Sequence, residues 1–158
     1  MEFLDPPRFF TRNKNAFNEI YSEVSAVLPH ARIEHIGSSA VIGLISKGDL
    51  DVFVGVEPQT FADALSKLKS LGYREKKDPL RTPSLCMLVV ERYTWDAAIQ
   101  LVANGSEFEF FLDFRDKLST CPRLVEQYNE LKTQCTGMEA DEYRNVKSQF
   151  IESTLCLS

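Results

Sequence analysis

Histidine is scarce in this chain. Only His30 and His35 occur, and neither is paired with a serine or cysteine motif that would build a nucleophilic triad. Cysteine is thinly spread: Cys86, Cys121, Cys135 and Cys156 form no C-x-x-C pair. That spacing argues against a zinc site and predicts reduced thiols in or near a core. Basic residues are outnumbered, with 18 Lys and Arg against 23 Asp and Glu for a net charge of -5. Broad nucleic-acid binding needs a basic surface and is not expected, although a local basic pocket is compatible with this balance. No apolar run approaches the ~18–20 residues of a membrane span. The start, Met1-Glu2-Phe3-Leu4-Asp5-Pro6-Pro7, has no basic segment and no apolar signal core. The expectation is a cytoplasmic protein with no membrane partner.

What is present is ordinary globular material, 44% hydrophobic and 26% charged. The length suits one domain over residues 1–158 with a sizeable core. An irregular arm is predicted for 1–12. Phe17, Ile20, Tyr21, Val24, Val27 and Leu28 recur at helical spacing over 13–28, and Pro29 stops them. Strands are predicted at 31–37 and 50–56, a short helix at 39–45 and an amphipathic helix at 59–71 that ends at Gly72. Tyr73 to Glu75, Leu85 to Glu91 and Trp95 to Val102 read as further strands, with a loop at Lys76-Lys77-Asp78-Pro79. Three helical stripes follow: Phe108, Phe111, Leu112, Arg115 and Leu118; then Leu124, Val125, Tyr128 and Leu131; then Tyr143, Val146, Phe150 and Ile151. The pattern predicts an α+β fold, a mixed sheet of four or five strands flanked by helices and followed by a helical C-terminal part.

The chemistry concentrates in two short segments. Ile36-Gly37-Ser38-Ser39 is a glycine-serine turn, and a spacer leads from it to Asp49-Leu50-Asp51-Val52. Side chains alternate along a strand, so Asp49 and Asp51 are expected on one face. Two adjacent carboxylates repel unless a cation lies between them. Mg²⁺ suits that place, since it binds one or two carboxylates and takes phosphate oxygens and waters as its other ligands. Gly37 allows close backbone approach to a phosphate and Ser38 offers a hydroxyl, with Ser39 as a second donor or a helix cap. Turn and acidic pair together point to metal-assisted phosphoryl or nucleotidyl transfer.

Gly37-Ser38 with Asp49-x-Asp51 resembles the signature of the nucleotidyltransferase superfamily, the polymerase-beta-like fold. The run His35-Ile36-Gly37-Ser38-Ser39-Ala40-Val41-Ile42-Gly43-Leu44, with Lys47, resembles the GrpB family more narrowly. So do Phe114-Arg115-Asp116-x-Leu118, Pro122, Tyr128-x-x-Leu131-Lys132 and Tyr143-x-x-x-Lys147-x-x-Phe150-Ile151. The resemblance implies a nucleotidyltransferase-like fold and Mg²⁺-dependent transfer of a nucleoside monophosphate from an NTP to an unknown acceptor. Asp49 and Asp51 would hold the metal. It also implies a third carboxylate on a later strand, where Asp96 shares a face with Ala98 and Gln100. GrpB-like chains often carry histidines near the positions of Ala98 and Gln100, and this chain does not. Lys47, Arg115, Lys132, Arg144 and Lys147 are candidates for neutralising a triphosphate, and Arg115, Lys132 and Lys147 match the family's blocks. Tyr93, Trp95 and Tyr128 are candidates for stacking on a base, and His35 for a phosphate contact or for holding the turn. The alternative implied by the irregular third acid is a catalytically weak or inactive nucleotide-binding module that regulates or assembles with a partner.

Overall fold

A computed structural model describes residues 9–76 and 81–156. Residues 1–8 of the arm expected over 1–12 and the Lys77-Asp78-Pro79 part of the expected loop lie outside them. Five strands form one mixed sheet: β1 (Arg32–Ile36), β2 (Leu50–Val56), β3 (Arg74–Glu75), β4 (Leu85–Val89) and β5 (Ala97–Ala103), in the order β1-β2-β5-β4-β3. β2 and β5 run parallel at the centre, and the other pairings are antiparallel. The helices are α1 (Phe10–Val27), α2 (Phe61–Ser70), α3 (Phe110–Thr120), α4 (Pro122–Gln134) and α5 (Ala140–Leu155).

The two sheet faces have different partners. Leu50, Val52 and Val54 of β2 and Ile99 and Leu101 of β5 form one wholly buried face. They pack with Ile20 and Val24 of α1 and with Ala64 and Leu68 of α2. The opposite face is less uniform. Phe53, Val102 and Leu85 pack against Leu112 of α3, but nearer the start of β2 the same face carries Asp51. Parallel register sets Asp51 beside Ala98. That small side chain leaves space above the sheet, which helices α3 to α5 cover only in part.

Two expectations are corrected. Residues 10–12 belong to α1 and not to an arm. Asn13 occupies the buried stripe of α1 with Ala16, Ile20 and Val24, so the periodicity starts one turn earlier than the apolar residues alone indicate. The short helix expected over 39–45 is a single 3-10 turn at Ser38–Ala40 followed by loop. Gly43 sits at φ +86, outside the helical region, so the helix breaks there even though Val41 and Leu44 are buried on either side of the exposed Ile42.

Candidate functional site

The turn between β1 and the 3-10 segment is built around a glycine. Gly37 has φ +80, and a Cβ placed on it would lie 2.7 Å from Asp51 Oδ2. The left-handed backbone and the carboxylate packed against Cα both demand glycine. Antiparallel register explains the approach: Ile36 pairs with Asp51, so the chain turns directly over that carboxylate. Gly37→Ala is therefore expected to lose about 1–2 kcal/mol from backbone strain, and more from displacing Asp51. Chemical denaturation of the two proteins checks this, and a stability equal to the parent's would show that the turn tolerates a side chain.

The turn's hydroxyls have separate tasks. Ser39 is buried, and its Oγ donates to the Asp49 carbonyl at 2.8 Å. With that proton committed, the His35 ring nitrogen 2.9 Å away must donate to Ser39 Oγ, which makes His35 the Nε2–H tautomer. Burial, with help from the Arg115 charge, holds His35 down at about 4, so the ring is neutral at physiological pH. It also stacks on Phe17 at 5.6 Å. His35 and Ser39 thus pin the turn to the acidic segment, and the substrate contact expected of Ser39 gives way to a structural one. Ser38 differs. Its Oγ accepts a hydrogen bond from Lys132 Nζ, and it lines the open space beside Asp51.

Lys132 lies in α4, 1% exposed. Its Nζ also donates to the Ile45 carbonyl at 2.6 Å and sits 4.4 Å from the Tyr128 ring centroid. Burial first, then repulsion from Lys147 and Lys47, pushes its ammonium down to about 6. A lysine so enclosed cannot reach a triphosphate; it holds the loop that follows the turn. Arg115 is similarly committed. It donates to the His35 carbonyl at 3.1 Å and pairs with Glu34 and Asp116 at 2.8 and 2.7 Å. Lys132 therefore braces the site from behind, while Arg115, tied to these partners, still lines the cavity that holds Ser38 and Asp51.

The groups that do face open space surround a cleft of about 800 Å³ whose lining includes Lys47, Asp49, Asp51, Asp96, Arg144 and Lys147. Asp49 and Asp51 both line it, and Lys47 Nζ lies 3.6 Å from Asp49 Oδ2. Asp51 is pushed up to about 6, chiefly by burial, and the nearby Asp49 and Asp96 add to the shift while Lys147 and Lys47 oppose it. Asp96 lies just before β5, is exposed, and gives its carbonyl to the Leu50 N–H at 2.9 Å. It shares the cleft, but among the described residues no three acidic, histidine or cysteine side chains are grouped closely enough to hold a metal by themselves. Lys147, on α5, faces the carboxylates, and burial lowers its pKa, which Asp51 partly restores.

Sequence reasoning missed several contributors. Arg12 and Asn13 of α1 donate to the Gly48 carbonyl at 2.6 and 3.1 Å, fixing the loop that delivers Asp49. Asn129 accepts from Ile45 N–H and donates to the Gly43 carbonyl, both at 2.9 Å. Arg74 and Lys76 add cations to the cleft. Only Asn13 left a signal, as a polar residue on an apolar stripe. The proposed base-stacking rings are already engaged. Trp95 stacks on Tyr93 at 4.8 Å and has the Arg12 guanidinium 4.4 Å from its centroid. Tyr128 is 1% exposed and stacks on Phe150.

Comparison with known proteins follows the same lines. Residues 10–156 match the family model described as GrpB protein. A UPF0157 protein of Vibrio cholerae is 49% identical over 155 residues, covering 98% of this chain and 82% of that one. A UPF0157 protein of Deinococcus radiodurans is 30% identical over 154 residues, covering 96% and 78%. The crystal structure of conserved protein GrpB from Enterococcus faecalis superposes with a TM-score of 0.74 at 20% identity, covering 98% of this chain and 97% of that one. The Cid1 poly(U) polymerase, solved with Mg 3'-dATP, gives 0.58 at 15% identity over 80% of this chain and 41% of the polymerase. At these identities the likeness is one of fold.

Proposed function

From the premise that this chain belongs to the GrpB family and has a nucleotidyltransferase-like fold, we propose that it is a Mg²⁺-dependent nucleotidyltransferase. It would move a nucleoside monophosphate from an NTP to an acceptor hydroxyl or amine and release pyrophosphate. The observation that carries the reading is the juxtaposition of Asp51 with Gly37, whose missing Cβ makes room for the carboxylate at the phosphate turn.

The donor set suits a hard cation. Asp51 is held up chiefly by burial, and a cation bound beside it would favour its charged form. Asp49 and Asp51 would hold Mg²⁺, with phosphate oxygens of the nucleotide among its remaining ligands. The ion would supply Lewis-acid stabilisation of charge on the phosphates. The chain's own part is to bind and orient. Ser38, held by Lys132, presents its hydroxyl proton to a phosphate oxygen. Lys47, Arg144 and Lys147 line the cleft as counter-charges. Cid1 structures contain Mg and nucleotide together, which supports a nucleotide in the corresponding cleft here.

The test is calorimetric titration with non-transferable NTP analogues, with and without Mg²⁺, followed by labelled-NTP turnover. Metal-dependent binding that weakens at least tenfold in Lys147→Ala is expected. No binding of any NTP with Mg²⁺ would overturn the reading. The exposed position of Asp96, the candidate third acid, favours one rival, a nucleotide-binding regulatory module. It predicts binding without turnover.

A further inference from the structure

A second cavity of about 220 Å³ adjoins the acidic cleft, and the Gly37-Ser38 turn lies on its lining. Its walls are mostly apolar, with Ile36, Leu44, Phe111, Phe114, Leu118 and Ile151 among them. At one edge it is polar, lined by Gly37, Ser38, Asp51, Gln100, Arg115 and Lys147, of which Asp51, Gln100 and Lys147 line the acidic cleft too. An apolar pocket therefore opens directly from the edge that carries the proposed phosphate turn.

Such a space needs an occupant of matching chemistry. An apolar cavity of about 150 Å³ is enough to take up benzene, so this one holds a single ring with a short substituent. It is too small and too apolar for the sugar, base and phosphate of a polynucleotide end, and the net charge of -5 gives no general attraction to one. Phe110, 52% exposed, also lines this cavity and offers an aromatic face near solvent. The rings of the acidic cleft, Tyr93 and Trp95, are by contrast engaged with one another.

We propose that this cavity is the acceptor subsite and that the acceptor is a small alcohol whose body is one aromatic ring or an equally compact apolar group. The assignment rests on the nucleotidyltransferase reading above. The apolar body fills the cavity, and the hydroxyl emerges at the wall formed by Asp51, Gln100 and Lys147, beside the bound nucleotide. Its oxygen bonds to the α-phosphorus as the bond from that phosphorus to the bridging oxygen of pyrophosphate breaks. The hydroxyl proton passes to water, and the products are a phosphodiester and pyrophosphate.

Benzyl alcohol is the probe. Its binding is followed by ligand-observed NMR on the full chain, with Mg²⁺ and each α,β-methylene NTP. Saturable binding to the parent is expected. Ile151→Trp fills the cavity from a partly exposed position on α5, and should weaken benzyl alcohol at least tenfold while leaving NTP-analogue affinity unchanged. Phe111→Ala enlarges the cavity and should admit 2-naphthylmethanol, which the parent refuses; this gain serves even if the filled variant folds poorly. NTP analogues that bind while benzyl alcohol fails to saturate would overturn the acceptor assignment alone. So would unchanged benzyl alcohol binding in a folded Ile151→Trp. Failure of every NTP analogue to bind the parent would overturn the underlying reading, and the acceptor assignment with it.

Discussion

Asp51→Asn is expected to abolish Mg²⁺-dependent NTP turnover while making the metal-free protein more stable at neutral pH. The two effects share a cause. Burial and the neighbouring Asp49 and Asp96 hold the Asp51 carboxyl up at about 6, against an ordinary aspartate value of 3.8. Between those values the folded protein binds a proton that the unfolded chain has lost. Stability therefore falls as pH rises through this window, and the full penalty is present above about pH 6. A shift of that size corresponds to an upper bound of about 3 kcal/mol, reduced by the solvent that reaches the cleft. Asparagine keeps the shape and removes the charge. The melting-temperature advantage of the variant should be greatest at pH 7.5 and shrink toward pH 4. Without Mg²⁺ the variant gains; with Mg²⁺ and NTP it loses, because the ion prefers charged oxygen ligands. A variant that binds Mg²⁺-NTP like the parent would remove Asp51 from the site, whatever its stability.

The strands were legible because their signals are local. Leu50, Val52 and Val54 alternate with Asp51, Phe53 and Gly55, and β2 occupies Leu50–Val56 as the alternation predicts. Gly37 was readable as a point of close backbone approach, expected for a phosphate; the group packed against it is the Asp51 carboxylate. The helical C-terminal part was readable as helices, but not in its relation to the turn. Lys132 and Arg115 look like phosphate ligands in sequence since a lysine or arginine in a family block carries no mark of burial. Only tertiary packing shows that Lys132 points into the loop after the turn, across 94 positions to Ser38. Asn129 joins Ile45 across 84 positions and sits in an unremarkable helical stretch. Asp96 had the right face and the wrong depth. Parallel register places the start of β5 at Ala97, two residues later than the expected start near Trp95, leaving the carboxylate at the exposed edge of the cleft.

Lys132→Met tests the brace. In the parent, Nζ holds Ser38 Oγ and the Ile45 carbonyl at once, so its loss releases the hydroxyl meant for phosphate and the loop leading to Asp49 together. Each acceptor left without its donor costs roughly 1–3 kcal/mol where water cannot replace it. Opposing this, methionine removes a buried amine whose protonation is held down at about 6, against an ordinary lysine value of 10.5. The unfolded chain binds that proton more readily between those limits. The parent should therefore lose stability on acidification, by roughly 2–3 kcal/mol from pH 8 to pH 6 through this group alone. The methionine variant should lack that slope. Melting curves across this range separate the contributions: an unchanged slope would mean that Lys132 is charged in the folded protein at pH 8. NTP affinity is expected to fall at least tenfold in the folded variant even at pH 8, since Ser38 no longer has a fixed donor behind it. If affinity stays at the parent's level there, the hydroxyl does not need the brace, and the phosphate site depends on the Gly37 backbone and the carboxylates alone.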